Sequence, residues 1–397
     1  MNASRPVSPA RLCALNAGIQ LVWGAILGVS LQARCLELVG HDGAIRSFSR
    51  LAAAGALIAT IVQIVAGVLS DRLRRRSGNR TQFYTAGTVL AIPALCWFYL
   101  APTFAQLILA FLALQFAMNV VGGPYQAVIP DFVAPNRRGG AASWMAAYQS
   151  LGNALGLIAA FAIRDAHLVA LALAAPFAGT YAVTVAAVRG RRAAAEATLG
   201  PRLRVLGGPL GALLVSRGLI NIGFFTLLDF LLFYVERSLG VPDSQLKLYT
   251  GTMFLGFTLA AVPGAIAAAR PTDRYDKRIA VSVSVTIVVV ALALLAATPG
   301  IPLAYLAAGL AGLGWGAFVT ADWALAAALL PKDEMATAMG IWNAATALPQ
   351  VVAPLVTAPL VTRLDASHTG AGPRGAIVLA LFEFAAGAAA IWRLPRA

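Results

Sequence analysis

Charge is scarce in this sequence. Only 12% of its 397 residues are Asp, Glu, Lys or Arg, and the acids are the rarer kind, 16 against 30 bases. A soluble globule carries about twice that share of charge to cover its surface, so a soluble fold is excluded. Histidine and cysteine are nearly missing, with three of each. Cys13, Cys35 and Cys96 stand singly, with no CxxC and no neighbouring His. That excludes a disulfide framework and a cysteine-based metal site. No nucleophile and base, phosphate loop or metal motif is present, so the chain is not read as an enzyme and calls for no cofactor.

Apolar residues fill the space that charge leaves. They make up 59% of the chain, and the mean hydropathy is +0.78. A membrane-spanning helix needs about 20 largely apolar residues. Segments of that kind run over 11–36, 46–70, 82–101, 104–130, 140–163, 166–188, 209–236, 244–269, 279–298, 301–330, 335–362 and 373–392. The expected fold class is therefore an all-α integral membrane protein with twelve transmembrane helices in two pseudo-symmetric six-helix bundles. The bundles are 1–188 and 209–397, joined by a polar cytoplasmic linker at 189–208. The net charge of +14 sits in short loops and not in a basic patch interleaved with aromatics, so anionic lipid headgroups are its counterparts and nucleic acid is not. Bases crowd alternate loops, and the positive-inside rule places both termini in the cytoplasm of a plasma (bacterial inner) membrane. The basic N-terminus precedes an apolar run too long for a signal-peptide core and reads as a retained first helix. A shift of 196 residues lays 133–145 over 329–341 and Gln126 over Asp322, a faint internal repeat of the kind transporters carry.

The most basic connection, Gly67 to Arg80, reads "GVLSDRLRRRSGNR". Asp71 stands among its arginines and can pair with them. Gly-x-x-x-Asp-Arg followed by bases and a Gly resembles the loop between the second and third helices of major facilitator superfamily transporters. That resemblance implies the major facilitator fold and a cytoplasmic gate, for which Gly67, Asp71, Arg72, Arg76, Asp131 and Arg137 are the expected residues.

Polar groups inside spans are costly, and they face the bundle interior or water. Asn16, Gln20, Trp23, Ser30 and Arg34 follow helical spacing in the first span, as Gln115, Asn119, Gly122 and Gln126 do in the fourth. Asn343 and Gln350 add a pair in the eleventh. Such stripes can line a hydrated cavity with amides suited to hydroxyls, or can serve as hydrogen-bonding glue between helices. Trp315, seven residues before Asp322, can present an indole face beside a carboxylate, which suits a sugar. Asp322 and Asp229 are candidate proton carriers. Arg217 stands about 18 Å along its helix from Asp229, so it pairs with a carboxylate from another helix, if at all.

The stretches "AGIQLVWGAILGVSLQARCLELVG", "VQIVAGVLSDRLRRRSGNRTQF", "NVVGGPYQAVIPDFV", "SLGNALGLIAA" and "GIWNAATALPQVVAP" are similar to the plant sucrose-proton symporters, their animal and bacterial relatives and, more distantly, the glycoside-pentoside-hexuronide symporters. The likeness covers helices one to five and eleven. It implies alternating access and a sugar or glycoside substrate. With the polar stripes it gives a substrate-binding set of Asn16, Gln20, Trp23, Gln115, Asn119, Gln126, Tyr148, Asn153, Trp315, Asp322, Asn343 and Gln350. Two departures matter. Gln115 stands where those symporters carry an acid, and Gln126 where they carry an Arg, which leaves Asp322 or an uncoupled facilitator as the alternatives. Metabolite or drug efflux, and lipid or pigment handling on the same fold, stay open. The expected partners are a small-molecule substrate, protons and membrane lipids, around a monomer.

Overall fold

The computed structural model describes residues 7–193, 209–297, 300–330, 335–368, 370–394 and 396. Most of the expected linker, from 194 to 208, lies outside them. Helices account for nearly all of the described chain. The first span is α1 (Pro9–Ala25), a π-helical turn (Ile26–Ser30) and α2 (Leu31–Val39) in succession. Next come α3 (His41–Ser77), α4 (Thr81–Leu100), α5 (Phe104–Tyr125), the short α6 (Val128–Phe132), α7 (Arg138–Ala162) and α8 (Ala166–Val188). After the linker follow α9 (Pro209–Phe233), prolonged by a second π turn (Tyr234–Ser238), then α10 (Asp243–Arg274), α11 (Lys277–Ala297), α12 (Ile301–Leu329), α13 (Met335–Ser367) and α14 (Ala371–Ala390). Eleven of these segments are long and apolar enough to cross a membrane. The remaining long helix, α7, carries Arg138, Gln149 and Asn153 among its small residues.

The chain divides into two compact units, 1–203 with 330–341, and 204–329 with 342–397. In the first, α1 packs on α7 and α8, α4 on α5 and α8, and α3 on α5. In the second, α9 packs on α14, α11 on α12 and α14, and α10 on α12. The second set repeats the first, with α9, α10, α11, α12 and α14 in the places of α1, α3, α4, α5 and α8. Small residues make the tightest crossings possible, because in lipid packing and not water exclusion brings helices together. A Cβ at Gly156 would land on the α1 backbone at Leu21 and Ala25, and one at Gly312 or Gly316 on the α10 backbone at Phe257 or Ala261.

Local chemistry corrects two expected boundaries and one expected polar stripe. The fourth span does not run unbroken to residue 130, because α5 ends at Tyr125, just past Pro124, and a turn at Gln126 and Ala127 leads into α6. The arginines from Arg72 to Arg76 are not in a loop. They occupy the last turns of α3, where cations complement the helix dipole, and the chain turns at Gly78, whose φ of 84° makes it the left-handed C-cap. Lastly, the π turn in the first span breaks the stripe that linked Asn16 to Arg34.

Candidate functional site

In the first unit the basic end of α3 and the start of α4 close a charge cluster. Arg80, 1% exposed, directs Nη1 to Asp71 Oδ1 at 2.7 Å and Nε to Asp131 Oδ2 at 2.7 Å. Arg74 adds a contact to Asp131 at 3.3 Å, and Arg80 Nη1 also donates to Ser70 Oγ at 2.9 Å. Burial works to lower the Arg80 pKa, but the Asp131 and Asp71 carboxylates outweigh it, and the pKa is raised. Gly67 is buried beside the cluster, whereas Arg72, Arg76 and Arg137 point outward and are exposed. The expected gate thus resolves into Asp71 and Asp131 around Arg80 and Arg74, two residues that the motif alone does not single out. Gly78 turns the chain back on itself and so brings Arg80 down onto Asp71.

The amides of the same unit divide into two groups. Asn16 Nδ2 donates to the Met145 carbonyl at 2.8 Å, and the Asn16 N–H donates to Tyr125 Oη at 3.2 Å. Asn119 Nδ2 donates to the Gln115 carbonyl and to Gln115 Oε1, and Asn119 Oδ1 accepts from Gln63 Nε2 at 2.6 Å. These donors are engaged inside the protein. Gln63 is the member that its spacing did not reveal. Gln20 and Trp23 on α1, with Tyr148 and Asn153 on α7, are half-buried along the crossing where Gln20 lies against Gly152 and Gly24 against the Asn153 backbone. Gln126 Oε1 is buried without a donor among the described residues. Ser30 leaves this face to bond Tyr99 Oη at 2.7 Å, and Arg34 reaches the Ala101 carbonyl and Glu37.

The second unit holds the sharper constellation. Arg217 on α9 is ion-paired with Asp322 on α12 and donates through Nη2 to Thr346 Oγ1 on α13 at 2.9 Å. Its guanidinium carbon lies 3.5 Å from the centre of the Trp342 ring, which in turn meets Trp323 edge-on at 4.8 Å. Trp342 is wholly buried and Asp322 is 1% exposed. Three helices are thereby tied through one cation, with Asn221 Nδ2 donating to the Arg217 carbonyl at 2.9 Å. An aromatic face above the guanidinium and a carboxylate beside it hold the charge in a buried site.

Trp315 stacks on Phe224 at 4.2 Å, with Phe318 and Phe384 nearby, so one indole face is already covered. Asn343 is half-buried on α13, and Gln350 is exposed on the same helix. Asp229 is also exposed. Glu383, a carboxyl in the middle of α14, belongs to no polar stripe, and its signal in the sequence is that of one acid in an apolar span. A pocket in this unit is lined by apolar side chains alone, among them Phe224, Leu228, Met253, Phe257 and Leu292.

Long apolar helices that cross on glycine and bury ion pairs and amides inside their spans make up an integral membrane protein with a polar interior. The chain belongs to the major facilitator superfamily, whose family description matches residues 21–354. Over 166 residues it is 29% identical to sucrose transport protein SUT4 of Oryza sativa subsp. indica, covering 36% of this chain and 27% of that one. Over 169 residues it is 25% identical to sucrose transport protein SUC3 of Arabidopsis thaliana, covering 37% and 28%. The match thus spans little more than a quarter of each of these relatives. Among solved structures, a bacterial homologue of the iron transporter ferroportin in its outward-facing state superposes with a TM-score of 0.71 at 15% identity, covering 96% of this chain and 99% of that one. The human organic anion transporter MFSD10 superposes with 0.70 at 17% identity, covering 97% and 100%. At such identities these two establish the fold alone.

Proposed function

We propose that this protein moves a small polar solute, a sugar or glycoside, by alternating access and with a proton as the coupling ion. The observation that carries the proposal is the buried Arg217–Asp322 pair. The first unit has Gln115 and Gln126 at the places where the resembling symporters carry an acid and a base, and the second unit supplies a base and an acid of its own. Protonation of Asp322 neutralises the carboxylate, frees Arg217 and loosens α9 from α12, which ties a proton to a helix movement. Asp229 is the second proposed proton carrier. The half-buried Gln20, Trp23, Tyr148 and Asn153 supply amides, a hydroxyl and an indole of the kind that binds sugar hydroxyls and C–H faces, and the relatives named for sucrose transport support this substrate class.

The cluster at Asp71, Asp131, Arg74 and Arg80 acts in this reading as the cytoplasmic gate, in a bacterial inner membrane with both termini inside. Two six-helix bundles, 1–188 and 209–397, are the moving bodies, and the protein works as a monomer. The wholly apolar cavity of the second unit favours a second reading, in which the ligand is a lipid or pigment. Uptake of labelled sucrose, maltose and glucose into proteoliposomes, with and without an inward proton gradient, separates the alternatives. Accumulation abolished by a protonophore is the expected result. Equilibration indifferent to the gradient would replace symport by facilitation, and no sugar movement in folded protein would refute the substrate class.

A further inference from the structure

Glu383 lies midway along α14, and its carboxyl meets the hydroxyl of Thr226 on α9. That hydroxyl stands 3.2 Å from the hydroxyl of Thr357 on α13, and both threonines are wholly buried. Glu383 Oε2 is buried too and has no hydrogen-bond partner among the described residues. One turn further along, Ser216 Oγ donates to the Gly387 carbonyl at 2.7 Å and holds α14 against α9, so this seam is a packed one.

The charges on the packed elements stand apart from this carboxyl. On α9, Asp229 follows Thr226 by one turn and has the same sign. Arg217 precedes Thr226 by nine residues, about 13.5 Å of rise, and is committed to Asp322. On α13, Arg363 is six residues past Thr357, about 9 Å of rise, and exposed, while Asp365 beyond it pairs with Arg237. Arg374 on α14 itself is nine residues before Glu383, and the charges of α11, Lys277 and Arg278, sit in its first turn. An ionised carboxylate here would rest in an apolar span on hydroxyls alone, which costs far more than keeping the same group as a neutral acid.

We propose that Glu383 is a further intramembrane proton site, resting on the proton-coupled reading above and deepening it. In the loaded state its carboxyl holds a proton. When the proton leaves, the Thr226 hydroxyl, backed by Thr357, donates to the carboxylate and makes the unloaded state attainable. No bond changes other than the O–H of the acid, whose proton passes to a water molecule.

Infrared spectroscopy of the purified full chain in lipid vesicles tests this without any sugar. The expected result is a protonated-carboxyl band that disappears in Glu383→Gln. In Thr226→Val, which deletes the donor to the charged form, the band should persist to higher pH, a shift that a purely structural role would not produce. In vesicles that accumulate sugar, Glu383→Gln should lose accumulation while keeping counterflow. A band unchanged by Glu383→Gln overturns the proposal, as does one that appears only when sodium is withheld, which would make the site a sodium site. Undiminished accumulation by Glu383→Gln overturns it as well. If the wild-type protein accumulates no sugar, the coupling reading falls and the infrared arm decides on Glu383 by itself.

Discussion

The Arg217–Asp322 pair admits a test that separates holding the fold together from coupling transport. Both side chains are taken out of solvent, at 10% and 2% exposure. Asp322→Ala leaves the guanidinium with Thr346 and the Trp342 face but no counter-charge, and Arg217→Met leaves Asp322 a bare carboxylate between helices. Breaking a buried pair from one side costs about 3–5 kcal/mol, whereas replacing both members by apolar groups of similar volume is often neutral or stabilising. Each single variant should therefore lose about 3–5 kcal/mol, and the double variant Arg217→Met/Asp322→Leu should recover most of that loss. The assay is reversible unfolding by a denaturing detergent, followed by tryptophan fluorescence, with Trp342 and Trp323 as reporters close to the pair. The recovered double variant should be folded and yet unable to accumulate substrate against a gradient. Single variants within about 0.5 kcal/mol of wild type, the range of ordinary surface changes, would refute the reasoning. So would a double variant that loses the sum of the two.

Arg80→Ala should destabilise the first unit by about 3–5 kcal/mol by stranding Asp71 and Asp131, and Arg80→Lys should not rescue it, because Nε and Nη1 serve different acids and an ammonium lacks that fork. The same unfolding assay reads both variants. Since the pKa of Arg80 is raised on folding, its contribution is complete below the unfolded-state pKa and is lost only as pH rises through the higher folded value. Unfolding curves should accordingly show no loss from this group between about pH 6 and pH 10. Gly156→Val should cost about 1–3 kcal/mol or more through overpacking against α1, while Gly179→Ala, whose added Cβ meets nothing within 4 Å, should be neutral or slightly stabilising.

The spans were legible because lipid demands long apolar runs, and the charged cluster at the end of α3 because Gly67 and Asp71 keep a recognisable spacing. Its inner geometry was not legible. Which arginine is buried depends on where the chain turns, and Arg80 is the buried one because Gly78 caps α3 and folds the next residues back onto Asp71. The pairing of Arg217 with Asp322 joins positions 105 apart in sequence, so helical spacing could propose each residue and not their meeting. Asn16 and Asn119 show the limit of reading polar stripes. Periodicity puts each on an inward face, but only the packing shows that their Nδ2 groups donate to Met145 and Gln115 and that Asn119 accepts from Gln63. Trp315 shows the same limit for aromatics, because Phe224 already occupies one of its faces.

The two π turns, Ile26–Ser30 in the first span and Tyr234–Ser238 at the end of the seventh, stand in the first helix of each unit. A π turn holds one residue more than the α-helical turn it replaces, so each of these helices carries a spare residue. The side chains beyond it are rotated by roughly one residue relative to those before, which is why Ser30 faces Tyr99 and not the face of Asn16. Removing a single residue from either turn would let the helix close up as a plain α-helix of nearly the same length. These are the places where the chain can shed a residue inside a span, at the cost of re-aiming everything between that point and the C-terminal end of the helix.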